Sequence, residues 1–514
     1  MIFKTNLLKP RIIFSLTVLC LICFDCRAQD QQPINTQLPE LTTEEMLEDF
    51  DSFINTVKNY SPQTPVRKAV TGIDPLEELY KMRSKIPNIK STEAFANLIL
   101  SAITVLQDGH SSLLWPRGYS SEELKELGFS DTTIELFPLY YELRRSKGIQ
   151  KKFNLKLKYL NGQYYNVVSF VHNGVHYDSG LRLVAINDQH AQDFIGALYP
   201  YKYRMRWDYS NKRYYSENFY RALNFEPEQS LKLKFVNKNK EVFMGEFKQN
   251  EAIEYGENQN SDASRREKKV EYFEEEQILY IRIPKMNLDH IDFYPEEIRT
   301  KASGKPLKKV IIDIRDNTGG TDNVWVKVLS SIINKPIDFE LLLLAVPSEE
   351  MKNRYPEDSP NWKSYKAAFL DDYEYAVFAS GDRKIEPDST SLNFKGKIYI
   401  LQNENIYSSS GAFAAIGMLA ENIYTVGQNT GQLLGRGINP FVFELPNSKI
   451  LYRIEPVIDF QNVESALDVY HDNVELPVEL NIDQYLKRIK HRGDIYGRDF
   501  LFNQDPVFMR VLQD

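Results

Sequence analysis

The sequence predicts an α/β domain with mainly parallel strands, preceded by a small helical module and a β-rich module. Three observations lead there. From Gln277 onward, short apolar runs at Leu279–Ile283, Val310–Ile314, Lys397–Leu401 and Tyr424–Gly427 alternate with helical patterns at Asn323–Ile333 and Ser409–Ala420, the alternation of a parallel sheet with crossover helices. Between Phe137 and Phe247 the pattern is of strands instead. Ahead of Leu106 it is of amphipathic helices. A chain of 514 residues is too long for one ordinary core, which fits several modules.

Residues 1–28 read as a cleaved signal peptide. Lys4, Lys9 and Arg11 precede the apolar run Ile12–Phe24, and Ala28 offers a small residue for cleavage before Gln29. The run is shorter than the roughly 18–20 residues of a membrane span, and no other run approaches that length. Cys20, Cys23 and Cys26 all lie here, and a lipoprotein anchor is the minority reading. Cleavage would remove four cations (Lys4, Lys9, Arg11, Arg27) and one anion (Asp25), taking the formal charge from −8 to −11. That acidity argues against nucleic acid as a partner. The remaining chain has no cysteine, hence no disulfide, thiolate nucleophile or cysteine-held metal.

Residues 29–40 are polar and contain proline. The helical module spans 41–115. Thr42-Thr-Glu-Glu45 followed by Met46, Phe50, Phe53 and Val57 reads as a capped amphipathic helix. A second helix over Ser91–Leu106 ends at Asp108-Gly-His110, with Gly109 expected as its left-handed cap. The β-rich module spans 135–250, with strands at Leu155–Leu160, Tyr164–Val171, Leu181–Ile186 and Leu231–Phe235. Within it, Gly180–Asp188 and the helical stretch to Leu198 resemble the second half of a PDZ-like module. Residues 250–270 are charged and read as a loop. The α/β domain spans 270–485, and 486–514 forms a C-terminal extension ending in a helix, Pro506–Leu512.

Two segments carry candidate chemistry. Lys309-Val-Ile-Ile-Asp-Ile-Arg-Asp-Asn-Thr-Gly-Gly320 and Lys397-Ile-Tyr-Ile-Leu-Gln-Asn-Glu-Asn-Ile-Tyr-Ser-Ser-Ser-Gly-Ala-Phe-Ala-Ala415 each run from an apolar strand into a tight polar turn. The second opens a helix whose start holds Ser408, Ser409 and Ser410. A serine there projects above the sheet, where helix N–H groups and the dipole favour negative charge. Read alone, three serines at a helix start are a capping cluster. Asp313 and Arg315 read as a structural ion pair or, equally, as groups that shape the substrate cleft. The seven histidines show no metal-ligand spacing.

In this order, Asp-Ile-Arg-Asp-Asn-Thr-Gly-Gly320, the serine turn with Phe413-Ala-Ala, and Val426-Gly-Gln-Asn-Thr-Gly431 resemble the tail-specific (C-terminal-processing) serine peptidase family. The resemblance extends over nearly all of the chain after the signal segment. It implies a crotonase/ClpP-like peptidase domain and makes Ser408 the nucleophile, five residues before Phe413; Ser409 and Ser410 are the alternatives. The bacterial branch places a lysine base where this chain has Leu433, and Gly431–Gly437 holds no lysine. Arg436 cannot serve, because a guanidinium does not deprotonate. The chain is thus more similar to the tricorn-core-like branch, in which a histidine of the N-terminal helical module is the base. His110, in Asp108-Gly-His-Ser-Ser112, falls at that place, and an ordinary pKa of about 6.5 suits a general base. The third member in that branch is a late glutamate before a Gly-x-x-Pro-Asp stretch. Tyr470–Pro477 has neither feature, and Asp472 is the expected substitute, with Glu475 and Glu464 behind it. The backbone N–H groups of Ser409 and of Gly319 or Gly320 are the expected oxyanion hole.

The expected function is a secreted or cell-envelope serine endopeptidase acting on protein or peptide, with an acyl-enzyme intermediate and no cofactor or metal. The alternative is a non-catalytic peptide- or ligand-binding protein on the same scaffold, favoured by the missing lysine and the unmatched acid.

Overall fold

The computed structural model describes residues 37–114, 116, 118–150, 155–199, 205–208, 210–217, 230–248, 251–256, 267–430, 440–469 and 474–514, the side chains of 144–150 and 418 aside. From Leu38 onward they belong to one compact unit, Leu38–Asp514. The expected signal segment lies outside the described residues.

At the centre is a six-stranded sheet. Its strands, in order, are Lys269–Phe273, Ile278–Arg282, Lys309–Asp313, Lys397–Gln402, Ile423–Gly427 and Leu476–Pro477. The first pair is antiparallel and every later pair is parallel. The middle strands are buried along nearly their whole length, as parallel strands covered on both faces must be. Alternate residues serve opposite faces. Leu279, Ile281, Val310, Ile312, Ile398 and Ile400 meet Tyr294, Val324, Trp325 and Phe413 from the crossover helices. Tyr280, Ile311, Tyr399 and Leu401 meet Leu501, Val507, Phe508 and Val511. The C-terminal helices Arg498–Asn503 and Pro506–Gln513 are therefore one wall of the central domain rather than an appendage to it.

The N-terminal helix Thr43–Tyr60 starts with the expected Thr42/Glu45 capping box. It shares one core with the hairpin of strands Phe441–Glu444 and Leu451–Ile454. Phe53 packs edge-on against Tyr452 at 5.3 Å between ring centres, and the Tyr452 hydroxyl donates to Thr56 Oγ1 at 2.8 Å. The buried Asp49 carboxylate accepts the Asn447 and Ser448 N–H groups at 2.7 and 2.8 Å. The helical module thus has no core of its own.

The second expected helix spans Thr92–Leu106 and stops one residue before Gln107, which takes the left-handed cap position at φ +52°. Gly109 also has positive φ but is not the cap. The expected strand Tyr164–Val171 divides into Gln163–Asn166 and Phe170–His172, because the Asn166 amide turns back to the carbonyls of Val168 and Asp178 at 3.3 and 2.7 Å. Residues 250–270 contain the short strand Glu254–Tyr255 and the start of Lys269–Phe273. An antiparallel pair that the sequence reading missed, Ile337–Ala345 with Tyr373–Ile385, projects between the two signature segments.

The β-rich region builds a six-stranded antiparallel sheet, five strands in the order Val242–Lys248, Ser230–Val236, Arg182–Ile186, Gln163–Asn166, Leu157–Leu160 and a sixth, Gln189–His190, paired with Arg182–Ile186. It meets the central domain through charge. Buried Lys158 pairs with Glu404 and, at 2.6 Å, with Glu217. Arg206 donates to Asn405 Oδ1 at 2.7 Å.

A second buried network sits at the end of strand Lys309–Asp313. Asp313 pairs with Arg315 at 2.6 Å and receives the Tyr280 hydroxyl at 2.9 Å, and Arg282 lies 3.6 Å away. Arg315 also reaches Asp505 at 2.7 Å. Burial alone would raise the Asp313 pKa, but the Arg315 and Arg282 charges outweigh it and hold it down at about 2. Replacing Asp313 by alanine removes the carboxylate nearest buried Arg282 and leaves Arg315 with Asp505 alone, and is expected to cost about 3–5 kcal/mol. Urea unfolding checks this; an unchanged midpoint would show the network to be dispensable.

Candidate active site

The site is assembled at the carboxyl edge of the sheet, where strands Lys309–Asp313 and Lys397–Gln402 lie side by side and in register. That edge is where open parallel sheets present loops to a ligand. The loop after the first strand carries Gly319 and Gly320. The loop after the second carries the three serines.

Those serines differ sharply. Ser410 is buried, and its Oγ bonds to the Asn317 and Tyr407 carbonyls at 2.5 and 2.9 Å, so it staples the turn. Ser409 is also buried, and its Oγ has no partner among the described residues. Ser408 is half-exposed and precedes the helix Ser409–Ile416 with φ +56° and ψ −126°. A non-glycine residue there costs about 1–3 kcal/mol, and such a sharp strand-to-helix turn is the geometry that lifts a serine hydroxyl clear of the sheet.

The glycine loop closes against this turn. A Cβ on Gly319, which has φ +94°, would lie 2.6 Å from the Tyr407 carbonyl oxygen, 2.8 Å from Ser408 Cβ and 3.0 Å from Ser409 N. No side chain fits. The Gly319 N–H is committed, donating to Asn317 Oδ1 at 2.8 Å. The N–H groups of Gly320 and Ser409 find no acceptor among the described residues. Of the three expected donors, two are uncommitted and Gly319 supplies space.

His110 arrives from the N-terminal region. Strand Ser112–Leu113 pairs antiparallel with Leu451–Ile454, Ser112 opposite Arg453 and Leu113 opposite Tyr452. Continued by two residues, that register sets His110 opposite Glu455. The His110 Nδ1 is bonded to Glu455 Oε2. Asp108 fixes the loop, its carboxylate accepting the His110 N–H at 2.9 Å and the Ser111 N–H at 2.5 Å. Ser111 Oγ accepts the Glu455 N–H at 3.1 Å. The His110 ring stands edge-on to the Tyr407 ring, 4.9 Å between centres, which brings it beside the residue preceding Ser408.

The sequence reading missed Glu455. Asp472 lies outside the described residues. Glu475 is bonded to the Thr425 N–H at 2.6 Å and to its hydroxyl, while the Glu464 N–H donates to Asp468 at 3.0 Å. Glu455 is fully buried. A carboxylate inside the apolar stretch Ile450–Ile458 demands a cationic or hydrogen-bonding partner, and that demand is the signal the sequence held. Burial raises the Glu455 pKa. Burial would lower that of His110, but the Glu455 charge and hydrogen bond, with Asp108 behind them, carry it above the ordinary 6.5. Among the described residues no cluster of His, Cys, Asp and Glu suits a metal ion, and no helix is long and apolar enough to cross a membrane.

Residues 277–459 match the model of peptidase family S41. That segment is a peptidase family S41 domain. The S41 match contains Ser408, Gly319, Gly320 and Glu455, while His110 lies outside it. The domain makes the chain a serine-type peptidase. No curated protein matches the sequence. Among solved structures, mature CPAF aligns with a TM-score of 0.53 at 12% identity, over 90% of this chain and 99% of that one. Mature CPAF complexed with lactacystin aligns with a TM-score of 0.54 at 12% identity, over 92% and 99%. The fold outside the S41 segment is therefore shared with CPAF as well.

A raised His110 pKa means that its bond to Glu455 stabilises the fold fully below pH 6.5 and that this contribution fades as pH rises through the folded midpoint. In Glu455→Gln the opposing carboxylate charge is gone and burial dominates. The His110 midpoint, followed by NMR of histidine-labelled protein, is expected to fall below 6.5. An unmoved midpoint would mean that Glu455 does not set it.

Proposed function

We infer that the chain is a serine endopeptidase whose working groups are Ser408, His110 and Glu455. The observation that carries this is the conformation of Ser408: a half-exposed serine in a strained turn, set against the glycine loop and next in sequence to Tyr407, whose ring meets the Glu455-bound His110. Ser408 Oγ attacks the peptide carbonyl. His110 Nε2 takes the hydroxyl proton and returns it to the leaving amine, while Glu455 holds Nδ1–H and so fixes the tautomer. The Ser409 and Gly320 N–H groups receive the developing oxyanion. Water, activated by the same imidazole, then hydrolyses the acyl-enzyme. Glu455 thus fills the role for which the sequence had pointed to Asp472.

The missing lysine of the bacterial branch fits this assignment, because the base comes from His110. The central domain is read as crotonase/ClpP-like on the strength of its parallel sheet. The β-rich module is read as PDZ-like, taking an extended peptide by strand addition at a sheet edge. The basic, apolar and small-residue pattern of 1–28 supports export to the cell envelope or beyond.

A fluorophosphonate probe with mass mapping tests the assignment. Labelling should fall on Ser408, disappear in Ser408→Ala, and drop by about a thousand-fold or more in His110→Ala. Its rate in the wild type should rise with pH through a midpoint above 6.5, as His110 loses its proton. Folded protein that takes no label, or takes it on another residue, would sink the assignment.

A further inference from the structure

Tyr407 makes contacts that the three working groups do not explain. It is buried, directly precedes Ser408, and touches both other loops of the site. Its N–H is shared between the Asn317 carbonyl at 3.2 Å and Ser410 Oγ at 3.0 Å. Its own carbonyl oxygen lies where Gly319 would otherwise carry a Cβ. Its side chain crosses to the histidine loop: the phenol donates to the Asp108 carbonyl at 2.5 Å, and the ring packs edge-on against the imidazole of His110. Gly109, at φ +82°, leaves room for that approach, since a Cβ there would lie 2.6 Å from the phenol oxygen and 2.8 Å from the carbon bearing it.

A buried tyrosine that only filled space would need no such fit. The phenol holds a backbone carbonyl of the loop that carries the base, from the residue next to the nucleophile. Nucleophile and base come from segments almost three hundred residues apart, and a misplacement of about 1 Å can cost a hundred-fold in rate. The geometry points to Tyr407 as the positioning residue that sets His110 against Ser408, through its bond to Asp108 and its ring contact with the imidazole. This rests on the reading of Ser408 and His110 as nucleophile and base.

The groups facing His110 are the Glu455 carboxylate at the end of the neighbouring strand, Asp108 in its own loop, Arg453 on strand Leu451–Ile454 and the Tyr407 phenol. Loosening the loop moves His110 away from Glu455 and lets water in. The first lowers its midpoint and the second relieves the burial that opposes its charge; acting together they return its titration toward 6.5.

Two variants, Tyr407→Phe and Tyr407→Leu, separate a positioning role from a packing role. Tyr407→Phe keeps the ring and loses the bond to Asp108; Tyr407→Leu loses both. Fluorophosphonate labelling rates against probe concentration and pH are read beside NMR titration of His110, with circular dichroism to follow folding. Tyr407→Phe is expected to slow the maximal labelling rate roughly ten-fold and Tyr407→Leu roughly a hundred-fold, with the half-saturating probe concentration unchanged and the His110 midpoint falling toward 6.5 in both. A Tyr407→Phe protein with wild-type rate and wild-type midpoint overturns the proposal while leaving the serine assignment intact. If wild-type Ser408 takes no label, the serine assignment fails. The His110 midpoints of wild type and Tyr407→Phe then decide alone: a shift upholds the positioning contact and identity overturns it. Should Tyr407→Leu not fold, the Tyr407→Phe rate and midpoint settle the question by the same criteria.

Discussion

A short antiparallel ladder between Ser112–Leu113 and Leu451–Ile454 joins the N-terminal helical region to the far side of the α/β segment, and the site exists because of it. The ladder is anchored on one side by the helix Thr43–Tyr60, whose Phe53 and Thr56 hold Tyr452. On the other side it is extended by Phe441–Glu444. Side-chain period in a strand is two, so a slip of one residue turns every group to the wrong face. Here it would take the imidazole away from its carboxylate. The large apolar core around this hairpin fixes an alignment that two strand residues alone would not.

Strain and buried charge concentrate around the same loops. Ser408 holds an unfavourable backbone conformation, Glu455 is a carboxylate without access to water, and Asp313 with Arg282 and Arg315 is buried at the end of the adjacent strand. Each is costly by itself. The two-sided packing of the parallel strands, with the crossover helices on one face and the C-terminal helices on the other, provides the rigid support that makes such features tolerable.

Much of this was legible from local pattern. Apolar runs located the four main parallel strands to within a residue or two. The Thr42/Glu45 box located the first helix, and strand-to-helix chemistry singled out the serines. Local pattern failed where the deciding contact was distant. Glu455 was overlooked because its apolar surroundings signal only that a partner exists, and that partner, His110, lies far off in the chain. Gly109 read as a helix cap because glycine after a helix usually is one, whereas its conformation answers to the Tyr407 ring. The pair Ile337–Ala345 and Tyr373–Ile385 carries its apolar side chains without strict alternation, since parts of both faces are covered. The C-terminal helices look peripheral in sequence because their apolar faces have meaning only beside the sheet.

The Lys158–Glu217–Glu404 cluster bears on how this architecture can change over time. Its ammonium is sealed between a carboxylate of the β-rich region and one of the central domain. A gene rearrangement that deleted or exchanged the β-rich region would strand Glu404, four residues ahead of Ser408, as an unmatched buried charge. Loops and sheet edges of that region are free to diversify. The region itself is not an interchangeable cassette, and its presence is written into the polypeptide that leads to the nucleophile.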